Sequence, residues 1–109
     1  MRAFRIALAC AAAVLAAGSL AAQKGAGDVA KGKEVFEQCA VCHSPDTDEK
    51  KMGPSLKGLF KKAKMTNGKK PTDAAVGAVI DAGGNGMPAY KDILSADERK
   101  HLMAYLKTL

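Results

Sequence analysis

Three stretches of the chain place apolar residues at helical spacing. Val29, Gly32, Phe36 and Ala40 fall at i, i+3, i+7 and i+11 behind Asp28, a good helix N-cap. Val76, Val79 and Ile80 mark a second face, with Thr72 as its N-cap and Gly83 as its stop. Leu102, Tyr105, Leu106 and Leu109 mark a third, and Ser95-Ala96-Asp97-Glu98 ahead of them has the composition of a capping box. After the turn signal Gly53-Pro54, the residues Leu56, Leu59 and Phe60 predict a shorter helix within 56–62. No stretch alternates at strand period and no repeat stands out. The pattern predicts an all-α domain of three main helices plus a short one. Gly32 sits on an apolar face at a cost of about 1 kcal/mol relative to Ala. It is tolerable there if another backbone must come close.

The first residues belong to a different layout. Arg2 and Arg5 precede an apolar, Ala-rich run from Ile6 to about Leu15, and small residues follow through Gly18, Ser19, Ala21 and Ala22. That is the order of a secretory signal peptide. Cleavage after Ala21 leaves Ser19 and Ala21 where small side chains are wanted, so residues 1–21 are expected to be removed and 22–109 to form one domain. The alternative is an uncleaved anchor, although alanine is a weak membrane residue. A lipidated Cys10 is disfavoured because Ala7-Leu8-Ala9 lacks the large aliphatic residue expected three positions ahead. Cleavage removes Cys10, and of the three cysteines only Cys39 and Cys42 stay. A domain this short buries only about 60–65% of its unfolded surface, so a staple or cofactor is expected.

Cys39-Ala40-Val41-Cys42-His43 is the chemical centre of the sequence. Two thiols three positions apart, with a histidine next, form the pattern of c-type haem attachment. Each thiol can add to a vinyl group, and the imidazole then lies under the iron. A zinc site would need four ligands, and after export the only other histidine is His101. A dithiol redox pair would need a βαβ setting, which the pattern does not offer. For the second axial position, Met52, Met65, Met103 and His101 compete with Met87. Met52 lies too near His43 in sequence, Met65 sits among lysines where solvation is expected, and Met103 and His101 lie on the last helix. Met87 follows Gly83-Gly84-Asn85-Gly86, which lets the chain approach a rigid ligand closely, and Pro88 forces it toward extended backbone.

In these residues the chain resembles the class I cytochromes c, and within them a small bacterial monohaem member. The resemblance covers the whole mature chain, with the motifs in the family's order. It implies that the first and last helices cross, with Gly32 and Phe36 meeting Leu102 and Tyr105. It implies that the Pro54 carbonyl accepts the proton on the far nitrogen of His43, and that Met87-Pro88-Ala89-Tyr90 supplies the methionine ligand. Leu56, Leu59 and Phe60 are expected to pack against the haem or beneath it. One covalent haem c is the implied cofactor. Its attachment outside the cytoplasm in bacterial members agrees with export to the periplasm.

His/Met ligation raises the reduction potential relative to harder donors and leaves no open site for oxygen or peroxide. The expected function is therefore a soluble electron carrier, not an enzyme. The alternative is a haem sensor or peroxidase-like enzyme with a labile Met87. Arg99 and His101, both on the last helix, are not a suitable pair for assisting O–O cleavage.

Charge adds one further feature. Loss of Arg2 and Arg5 lowers the formal net charge from +6 to +4, and Lys50 to Thr72 holds eight lysines and no acid. Lys57, Lys61, Lys62 and Lys64 could steer the protein to an acidic face on a redox partner, or simply solvate a small domain. Nucleic acid is not an expected target of an exported protein. A monomer without a membrane span is expected once the first 21 residues are gone.

Overall fold

Each helix begins where its capping residue dictates. The computed structural model describes residues 27–109, and the expected signal peptide at 1–21 lies outside them. Helix α1 (Val29–Phe36) starts at Asp28, whose carboxylate accepts the Lys31 N–H at 3.0 Å. Helix α2 (Asp73–Ala82) starts at Thr72, whose hydroxyl accepts the Ala75 N–H at 3.1 Å. Helix α3 (Ala96–Leu106) opens with a complete capping box: Ser95 Oγ accepts from Glu98 N at 3.1 Å and Glu98 Oε1 from Ser95 N at 3.0 Å. Each arrangement satisfies donors that the first helical turn leaves unpaired.

Two elements are shorter than the apolar pattern suggests. The expected short helix is a single 3-10 turn, Leu59–Lys61, entered through Gly58 at φ 63°. Helix α1 ends at Phe36 and does not run into Cys39. Beyond it, Cys39 N and Ala40 N both donate to Phe36 O at 2.7 and 3.0 Å, and Cys42 N and His43 N both donate to Cys39 O at 3.1 and 3.0 Å. Pairs of donors converging on single carbonyls wind the chain more tightly than an α-helix. Ala40 thus lies outside the helix, yet it still packs against the core.

Helices α1 and α3 cross, and the crossing depends on one missing side chain. A Cβ at Gly32 would collide with the His101 carbonyl oxygen and come within 2.7 Å of Tyr105 Cβ. The Phe36 and Tyr105 rings meet at 5.2 Å between centroids, tilted by 54°, within the range that favours aromatic pairs. Leu102 is 1% exposed beneath them. His101 Nδ1 accepts the Asp28 N–H at 2.8 Å, which ties the start of α1 to α3. Val29 departs from the expected face: it is largely exposed and lines a shallow groove with Met103 and Lys107.

Phe36, Leu59, Val76, Ile80, Leu102 and Leu106 form the core. Helix α2 contributes Val76 and Ile80, and it is clipped to α3 by polar contacts. The Arg99 guanidinium lies over Gly77, where a Cβ would stand 2.8 Å from Nη2, and pairs with Asp81 at 3.0 Å. Lys107 pairs with Asp73 at 2.7 Å. Among the described residues there is no strand, only an isolated bridge between Gly84 and Met87. No helix among them is long and apolar enough to cross a membrane.

Candidate functional site

The His43 side of the site is built by segment 53–56 running alongside 42–44. Gly53 N donates to Cys42 O at 2.8 Å and Leu56 N donates to Ser44 O at 2.8 Å. Between these bonds, His43 Nδ1 lies 2.7 Å from the Pro54 carbonyl oxygen. A carbonyl can only accept, so Nδ1 carries the proton and Nε2 keeps its lone pair. That is the tautomer a metal-binding imidazole with a supporting acceptor needs. Gly53 also lies against the ring: a Cβ there would come within 2.5 Å of Cε1, 2.8 Å of Nδ1 and 3.0 Å of Nε2.

The Met87 side is built by a hairpin turn. Gly84 N donates to Met87 O at 2.9 Å and Met87 N to Gly84 O at 3.0 Å. The two residues between them have positive φ, 52° at Asn85 and 88° at Gly86. Asn-Gly is the preferred pair for such a two-residue turn. Gly83 precedes it at φ 62° and ψ −148°, a region open essentially to glycine alone. A Cβ on Gly83 would strike the Met87 carbonyl oxygen and stand 2.6 Å from Pro88 C. Beyond Pro88 the segment is tied back to α2, since Tyr90 N donates to Ile80 O at 2.9 Å. Met87 is half-buried against the core.

The cysteines lie on the tight turns that follow α1. Cys39 and Cys42 are half-buried free thiols, not joined to each other. Burial, and then the neighbouring Cys42, push the Cys39 thiol above its ordinary 9.0. Burial raises the Tyr90 hydroxyl too, with Cys39 and Cys42 as further causes.

Residues 29–109 match the Cytochrome c family. The chain belongs to that family. A stretch of 40 residues is also 52% identical to cytochrome c2 of Blastochloris viridis. That stretch covers 36% of this chain and 32% of the relative. The family's cofactor is covalent haem c, carried on the Cys-x-x-Cys-His motif that residues 39–43 present.

The residues fit that cofactor. Both thiols are unpaired, His43 holds Nε2 free while Nδ1 is committed, and several apolar side chains are only half covered. Leu56, Phe60, Met65, Met87, Tyr90 and Leu94 all pack against the core but stay half-buried. Leu59, expected among the haem contacts, is a member of the core itself, while Leu56 and Phe60 line its edge.

Met65 corrects one expectation. It was expected in solvent among lysines, but it packs half-buried against the core. Met65 N donates to Lys69 O at 2.8 Å and Gly68 N to Met65 O at 2.9 Å. The closed turn carries Asn67-Gly68 and the lysines outward and turns the methionine inward. Met52 is 84% exposed, and Met103 packs against the core as filler. The lysines behave unequally. Lys57 pairs with Asp48 at 4.0 Å and Lys62 Nζ donates to Ser55 O at 2.9 Å. Lys61 and Lys64 are exposed and form no ion pair among the described residues. Gly53, Gly83 and Tyr90 belong to the site without carrying a ligand motif of their own. Glycine before proline, glycine before the hairpin and the tyrosine after Met-Pro were the available signals.

Proposed function

We propose that the protein is an exported electron carrier, with haem c held through Cys39 and Cys42 and its iron ligated by His43 and Met87. The observation that carries this reading is the 2.7 Å contact of His43 Nδ1 with Pro54 O, because it commits one imidazole nitrogen to a carbonyl and frees the other for a metal. Bound haem supplies a one-electron Fe(III)/Fe(II) couple. The chain's part is to hold two ligands, keep water from the apolar flank and present a docking face. In this reading Met87, held by the hairpin, supplies the soft sulfur ligand that favours the reduced state. Arg99 is engaged with Asp81 at 3.0 Å, which leaves it unsuited to assist O–O cleavage and disfavours the peroxidase-like alternative. Export to the periplasm rests on residues 1–21.

The oxidised protein should show a far-red sulfur-to-iron charge-transfer band at neutral pH, and Met87→Ala should abolish it. Absence of the band in the parent, or ready binding of carbon monoxide to the reduced parent, would overturn the carrier reading. Lys57, Lys61, Lys62 and Lys64 form the proposed docking face for an acidic redox partner. Neutralising Lys61, Lys62 and Lys64 should slow reduction by the natural partner at low salt and flatten its salt dependence. An unchanged rate and salt dependence would remove the docking role.

A further inference from the structure

We propose that Gly53 is a positioning residue that fixes the plane of the His43 imidazole. The inference rests on the reading of His43 as the iron ligand and adds the residue that sets its orientation. The bond from Nδ1 to Pro54 O fixes one point of the ring. A hydrogen bond alone tolerates a broad range of approach at a carbonyl, so the ring could still pivot about that contact.

Gly53 removes the pivot. A Cβ built on it approaches three ring atoms at once, 2.5 Å from Cε1, 2.8 Å from Nδ1 and 3.0 Å from Nε2. The two nitrogens are only 0.3 and 0.5 Å farther from it than Cε1 is, closer than an in-plane approach at the Cε1 edge allows, so a Cβ at 53 would stand over the ring face. Its own position is fixed by the attachment loop, through Gly53 N to Cys42 O at 2.8 Å. Hydrogen bond and flat contact together define a plane, which neither does alone. Any side chain at 53 meets the ring rather than a flexible tip, so the imidazole must turn or the 53–56 segment must lift. The orientation of the ligand plane sets how unpaired spin spreads over an oxidised haem, and this makes the role visible without any activity measurement.

The test uses the purified holoprotein. Nuclear Overhauser contacts between the Gly53 α-protons and His43 Hε1 are expected in the reduced parent, and their absence would overturn the proposal. In oxidised Gly53→Ala, the hyperfine-shifted haem methyl resonances should change in order or spread, with the low-spin spectrum retained. Gly32→Ala serves as the comparison: it should lower stability through the helix crossing and leave the methyl pattern unchanged. An unaltered methyl pattern in Gly53→Ala, or the same change in Gly32→Ala, would overturn the positioning role. If Gly53→Ala does not load haem, the contacts in the parent decide alone. A parent lacking the hyperfine-shifted ring protons of a bound histidine would instead refute His43 as ligand.

Discussion

The two sides of the site are held in different ways. His43 is fixed by its own bond to Pro54 O, by the backbone bonds that join 42–44 to 53–56, and by Gly53 against its ring. Met87 is carried on a two-residue turn with two backbone bonds, anchored by Tyr90 N to Ile80 O. Under the proposed His43/Met87 ligation, the first arrangement locks an orientation, while the second delivers an atom to a position. An imidazole has a plane that must be set, whereas a thioether needs only its sulfur brought within reach on a flexible side chain. The histidine side should therefore persist through perturbations that release the methionine side.

Leu102→Ala should have the largest effect. The residue is 1% exposed at the crossing, and truncation should cost about 3 kcal/mol in denaturant unfolding. Because Leu102 belongs to the core that Cys39, Leu56 and Met87 pack against, helicity and the far-red band should be lost together. Separation of the two transitions would locate the support of the sides elsewhere.

Gly83→Ala should come next, at about 2 kcal/mol, because alanine disfavours this backbone conformation and its Cβ meets the Met87 and Pro88 backbone. Here the far-red band should disappear before helicity does. Coincident loss would contradict the comparison drawn above.

Gly86→Ala probes the same turn more gently. Its φ is 88° and no heavy atom lies within 4 Å of a built Cβ, so only conformational strain of about 1 kcal/mol is expected. The band should weaken at lower temperature than in the parent, with the His43 contacts unchanged.

The smallest effect is that of acid on the helix caps. Asp28 is held below its ordinary 3.8 chiefly by the Lys31 N–H, and Glu98 below 4.5 by Ser95. Both pKa values are depressed by folding, so their stabilisation is complete above the ordinary values and is lost as pH falls through the depressed ones. Asp28→Asn and Glu98→Gln should flatten the acid limb of a stability profile below pH 4.5, with little change at neutral pH. A parent profile that is already flat there would show that the caps contribute nothing through charge.

The helices were legible because their signals are local. Asp28, Thr72 and the Ser95–Glu98 box each cap the helix they were expected to begin, since a cap requires only residues three positions apart. The crossing at Gly32 was reached through resemblance, and the collision at the His101 carbonyl supplies its physical reason. The end of α1 is not legible, because its apolar period continues to Ala40 while the donors of 39–43 converge on shared carbonyls. The burial of Met65 is not legible either, because lysine-rich surroundings describe a turn's backbone course but not the direction of one side chain. His101 showed nothing in sequence of its bond to Asp28, which spans 73 positions.

By itself, the sequence determined the attachment motif, the three capped helices and the Met-Pro segment, because each depends on residue types at short fixed spacings. Only the tertiary structure decided that Gly53 lies on the face of His43, that Gly83 admits no side chain beside Met87, and that His101 ties the start of α1 to α3. These depend on the close approach of segments distant in the chain. Close approach is governed by steric exclusion between backbones, which no local pattern records.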